Sequence, residues 1–177
     1  KLLALLRHRY NVFNGAIDKG LVIVPTELIT DNGKLLKQIV LELAKQNQLE
    51  SAFIEWLDKA NQFCSSLVDR IVPGKLSTQM QQEMEQAYGY KDELGIMSEP
   101  YSLWAIETTS DKAKHALRFS AADESLIITG DINKYKELKL RLLNGTHTFS
   151  CGVACLAGFE TVKEGMADAS MGNFVKQ

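Results

Sequence analysis

Leu21-Val22-Ile23-Val24-Pro25 is a five-residue apolar run closed by proline, and Thr26-Glu27-Leu28-Ile29 leads from it to the turn residues Asp31-Asn32-Gly33. A run this short, rich in β-branched residues and bounded by turn chemistry, reads as a buried strand of a parallel sheet. The next segment, residues 33–46, places Leu35, Leu36, Ile39, Val40 and Leu43 at helical spacing, with Asp31-Asn32-Gly33 as its turn and cap. Residues 50–60 form a further helix with Phe53, Ile54 and Leu57 inward, and residues 2–13 read as the end of an amphipathic helix. A strand flanked by helices is the pattern of a doubly wound α/β sheet.

Pro73-Gly74 breaks that pattern. Residues 77–88 read as a polar helix rich in Gln, Glu and Met, exposed on one side, and Gly89 to Pro100 as loop. Leu103-Trp104-Ala105-Ile106-Glu107 and Ser125-Leu126-Ile127-Ile128-Thr129 read as strands that extend the sheet. From Lys134 onward the pattern is helical, with Leu138, Leu142, Leu143, Val153, Leu156 and Val162 as its apolar positions. This shift places a domain boundary near residue 131.

Composition narrows the function classes. Of the 177 residues, 45% are hydrophobic and 24% charged, which suits a globular chain holding one domain or parts of two. The formal charge of −2 leaves no basic surplus for nucleic acid. No apolar run approaches the ~18 residues a membrane span needs. Cys64, Cys151 and Cys155 are an odd, sparse set, which points to a reducing compartment and buried structural thiols. Cys151 and Cys155 could share a helix face with His147, but a zinc site needs a fuller ligand set.

The chemistry sits in Lys139-Leu140-Arg141-Leu142-Leu143-Asn144-Gly145-Thr146-His147. On a regular helix Asn144 lies about 140° round from Lys139 and His147 about 80° round, so one arc holds all three. An amine serves as acid or base, an amide N–H steadies an oxygen that gains negative charge, and an imidazole orients either. Those are the parts for moving a hydride to or from a carbonyl carbon without a metal. No Ser, Cys or Thr sits in a recognisable nucleophile elbow.

That stretch resembles the Lys-x4-Asn-x2-His signature of the long-chain mannitol dehydrogenase family of polyol and hexuronate dehydrogenases. Three other stretches resemble the same family: Val68-Asp69-Arg70-Ile71-Val72-Pro73; Val22-Ile23-Val24-Pro25-Thr26-Glu27-Leu28-Ile29 with Asn32-Gly33; and Glu99-Pro100-Tyr101 with Trp104-Ala105-Ile106-Glu107. Within the family, Phe13–Gly20, Phe53–Asp58 and Phe63–Arg70 are most similar to the branch that interconverts altronate and tagaturonate. The chain departs from the mannitol enzymes' Cys-Asp-Asn pattern with Thr26-Glu27-Leu28.

The resemblance implies the C-terminal part of a Rossmann-like doubly wound sheet over residues 1–130, then the beginning of a mainly α-helical substrate domain over 131–177. It also implies an internal fragment covering well under half of a family member, since Lys1 is no initiator Met, no G-x-G-x-x-G is present and the dinucleotide-binding half is expected upstream. The implied activity is NAD-dependent, metal-independent and cytoplasmic, with NAD(H) and a sugar acid as small-molecule partners and neither nucleic acid nor membrane. Mannonate (fructuronate) or mannitol dehydrogenase is the alternative within the family, and a non-catalytic helical scaffold the alternative outside it. Lys139 is implied as the acid/base, Asn144 as donor to the alkoxide, His147 as orienting group and Glu27 as proton relay. Arg70 is read either as a contact to cofactor or uronate carboxylate, or as half of a structural ion pair with Asp69. Trp104 and Tyr101 read as core, His8 and His115 as surface.

Overall fold

The computed structural model describes residues 1–177, which divide into two compact units, Lys1–Asp131 and Ile132–Gln177. The first begins with helix α1 (Leu2–Val12), whose Leu6 is fully buried. Strand β1 (Val22–Ile23), helix α2 (Asn32–Gln46) and helix α3 (Ser51–Ala60) follow. Leu6 packs with Val40 and Ala44 of α2 and with Phe53, Trp56, Leu57 and Ala60 of α3. Tyr10 sets its ring edge-on to Phe53 and Trp56, with centroids 5.2 and 5.5 Å away. The Trp56 indole N–H donates to Ala16 O at 3.0 Å, so the buried ring keeps its polar end satisfied.

Helix α2 turns differently from the expected inward stripe. Val40 and Ala44 are buried and Leu36 and Leu41 half-buried, whereas Leu35, Ile39 and Leu43 are 39–43% exposed. Its neighbour α3 touches the 36/40/44 row, and spacing alone cannot choose between two apolar rows one residue apart.

Strand β2 (Gln62–Phe63) runs parallel to β1, and strand β3 (Ser66–Asp69) continues from it. The sequence reading had no strand here, because the alternation Ser-Leu-Val-Asp is short and ends in the Asp-Arg pair. After an excursion, strand β3 pairs antiparallel with β6 (Leu103–Glu107), which pairs in parallel with β7 (Leu126–Thr129). Residues 62–69 therefore join the two sheets, and the Rossmann-like α/β architecture carries one antiparallel neighbour within it. Cys64, Ile106, Ala113 and Leu117 form a second core cluster under Val22, Val24, Trp104 and Ile128.

The excursion contains strand β4 (Gly74–Lys75), helix α4 (Thr78–Tyr88) and strand β5 (Ile96–Met97), the last lying inside the stretch expected to be loop. Ser77 caps α4 by accepting from Met80 N, and Gly89 ends it at φ +73°, a left-handed turn where a side chain would be strained. No residue of α4 is buried. Glu99 closes the base of this arm: its carboxylate accepts from Ile71 N at 2.6 Å and its carbonyl accepts from Arg70 Nε at 3.0 Å.

The second unit is helical: α6 (Asn133–Leu138), a wider turn over Lys139–Asn144, α7 (Gly145–Leu156), α8 (Val162–Ala167) and α9 (Ala169–Lys176), with α5 (Asp111–Ala116) left behind in the first unit. Thr161 and Glu164 form a capping box at α8, and Asp168 caps α9 by accepting from Met171 N. Phe149 stacks on Phe174 at 5.0 Å, and Met171 and Gly172 are buried.

One side chain links β1, α2 and β3. Asn32 is 4% exposed, donates from Nδ2 to Pro25 O, Glu27 O and Ser66 O at 2.9–3.1 Å, and accepts from Ser66 N and Gly33 N at Oδ1. Asn32→Ala leaves buried carbonyl and amide groups without partners, and the expected loss is ~3 kcal/mol of folding stability. Thermal and urea unfolding of the variant beside the parent measures it, and a change below ~0.5 kcal/mol would contradict this role.

Candidate active site

The Lys-Asn-His stretch lies in the second unit. Lys139 opens the wider turn and Asn144 closes it, and this turn is π-helical, with the Gly145 N–H donating to Leu140 O, five residues back. The turn is therefore wider here than the regular helix expected from the sequence. Residues i and i+5 of a turn closed in this way lie nearly one above the other, as i and i+4 do in an α-helix. His147 follows three residues after Asn144 on regular α7. Lys139 and His147 are half-buried and Asn144 is exposed.

A cavity of about 550 Å³ opens along α7 between α8 and α9. His147, Cys151 and Cys155 line it at successive helical turns, and Phe159, Met166 and Met171 form much of its apolar wall. Cys151 and Cys155 are exposed, against the expectation of buried thiols, because α7 presents their face to this open space. No group of three or more His, Cys, Asp or Glu side chains is placed to hold a metal ion.

The other candidate residues lie in the first unit, in two separate depressions. Glu27 is exposed beside Ile29, Leu35 and Ile39 in a groove of about 220 Å³. Its backbone is fixed through Glu27 O, which accepts from Asn32. Asp69 and Arg70 line a second groove, about 310 Å³, with Thr26, Trp104 and Asp123. Arg70 lies near Asp123 and helps hold that carboxyl below its ordinary range, after the larger effect of hydrogen bonds from Ser125. The sequence reading did not mark Thr26 or Asp123; the signal available was that each follows or precedes a strand end. Trp104 is half-buried with its indole N–H enclosed and without a partner. Tyr101, expected in the core, is 53% exposed, and His8 and His115 are exposed.

Two family models match the chain: the mannitol dehydrogenase Rossmann domain over residues 1–118 and the mannitol dehydrogenase C-terminal domain over 131–177. The chain belongs to the mannitol dehydrogenase family. It is 43% identical over all 177 residues to altronate oxidoreductase of Shigella flexneri and, equally, to that of Escherichia coli O1:K1. It spans 36% of the length of these curated relatives. The fold is shared with D-sorbitol dehydrogenase in substrate-free form (TM-score 0.72, 22% identity, 98% of this chain and 34% of that one). It is shared too with Pseudomonas fluorescens mannitol 2-dehydrogenase, solved as a ternary complex with NAD and D-mannitol (TM-score 0.58, 23% identity, 88% and 30%).

A dinucleotide needs a Gly-rich turn and a helix N-terminus for its pyrophosphate, and these 177 residues contain no G-x-G-x-x-G. Arg70 stands as a cation on the wall of the Asp69 groove.

Cys64 is 2% exposed, and burial pushes its thiol up from the ordinary value, partly offset by a hydrogen bond from Thr108. Since the thiolate is the reacting species, Cys64 should stay silent to DTNB in the folded protein and react only on unfolding. Rapid labelling of Cys64, located by peptide mapping, would contradict its place in the core.

Proposed function

We propose that this chain is part of an NAD-dependent oxidoreductase that interconverts D-altronate and D-tagaturonate. The observation that carries the reading is the 43% identity to altronate oxidoreductase along the entire chain. The π-helical arrangement of Lys139 and Asn144, with His147 one turn on, supports it chemically.

In this reading residues 1–130 belong to the dinucleotide-binding domain and 131–177 begin the substrate domain. Arg70 is the residue of this chain that would hold NAD(H), which when bound would supply the hydride chemistry at the sugar carbon. Lys139 takes the hydroxyl proton during oxidation and returns it during reduction. Asn144 donates an N–H to the oxygen as negative charge develops there. His147 holds a substrate hydroxyl or steers the lysine. Glu27 passes the proton on to solvent, which its exposed position permits. No step calls for a Lewis acid, because the amine and the amide together handle the proton and the charge.

Lys139→Ala in the intact enzyme should lower kcat/KM for tagaturonate reduction by at least ~10²-fold, the scale of a lost general acid–base group. Steady-state kinetics decide this, and retention within threefold would refute the assignment. Exhaustive chelation should leave the rate unchanged; loss on chelation that zinc restores would remove Lys139 from its role.

A further inference from the structure

We propose that the π-helical turn Lys139–Asn144 is a positioning device that brings the amine and the amide into line. The inference rests on the catalytic reading of Lys139 and Asn144 above.

Residues five apart on a regular α-helix face directions about 140° apart, too far round for one small oxygen to meet both side chains. Widening a single turn from i→i+4 to i→i+5 closure removes that offset. The widened segment begins at Lys139 and ends at Asn144, so the extra residue falls between the two groups it would align. The helix is not broken there. Leu138, Lys139, Asn144 and Gly145 all keep right-handed helical backbone angles, and α6 and α7 run on either side.

Local sequence does not ask for such a turn. Leu140, Arg141, Leu142 and Leu143 are good formers of ordinary α-helix, and neither proline nor glycine lies among them. A rare backbone form on a sequence that favours the common one is held by its surroundings, and such turns concentrate at functional sites.

The test uses the intact enzyme with Leu142 deleted, read by thermal unfolding and by kcat, KM and the pH profile of kcat. Deleting Leu142 should convert the wide turn into an ordinary one, in which Leu140 O stays the acceptor of the Gly145 N–H but now lies four residues back. The flanking helices keep their register, and Lys139 and Asn144 become four residues apart, about 40° round from each other. This variant should fold with a parental melting temperature and keep kcat within about tenfold, with KM and the pH profile unchanged. If the helix were regular, the deletion would rotate everything after it by about 100° and lose the fold; that outcome overturns the proposal. So does a folded deletion variant whose kcat falls by more than about tenfold. Lys139→Ala run alongside separates the readings: an active Lys139→Ala sinks the catalytic assignment, while the melting temperature of the deletion variant still judges the turn.

Discussion

The five hydrogen bonds of Asn32 are the constraint on which the first unit depends. The side chain donates to carbonyls before and after Thr26 and to one on β3, while its oxygen accepts the amides of Gly33 and Ser66. The exit of β1, the start of α2 and the start of β3 are thereby fixed to one another. Gly33 is part of the same joint, because a Cβ there would lie 2.5 Å from the backbone of Cys64 and Ser65. Two chain segments approach so closely that the only polar group able to enter is a compact amide with both donors and an acceptor. Ser66 adds a sixth bond, its hydroxyl donating to Pro25 O at 2.5 Å.

This joint bears on the chemistry through what it holds in place. Thr26 and Glu27 lie between two of its carbonyls, so neither side chain can drift far although both are exposed. Asp69 and Arg70 emerge at the far end of β3, whose start the joint fixes. The Arg70–Glu99 contacts then pin the base of the arm beside them.

The helical unit uses a different logic. It buries few large side chains, with Met171, Gly172, Gly165 and Ser150 as its buried residues beside Ile132. Leu138, Leu140, Leu142, Val153 and Leu156 are all exposed. Its ordering comes from helix caps and from the Phe149–Phe174 stack. A wide helical turn that carries Lys139 and Asn144 is compatible with so lightly packed an element, because widening one turn displaces no large buried neighbour.

Sequence by itself determined the α/β class, most helices, strands β1, β6 and β7 and the nearness of Lys139, Asn144 and His147 along the chain, because periodicity and residue chemistry are local properties. It also named Asn32-Gly33, though only as part of the turn and cap of the helix that follows. It could not choose which apolar row of α2 is buried, since Leu35/Ile39/Leu43 and Leu36/Val40/Ala44 satisfy the same spacing and only contact with α3 separates them. It did not reveal β3, whose four residues become a strand through pairing with Leu103–Glu107, thirty-odd residues away. It placed Lys139 and Asn144 about 140° apart on a regular helix. The tertiary structure closes that turn five residues back instead, because backbone hydrogen-bond partners are chosen by the whole fold and not by the propensity of the residues between them.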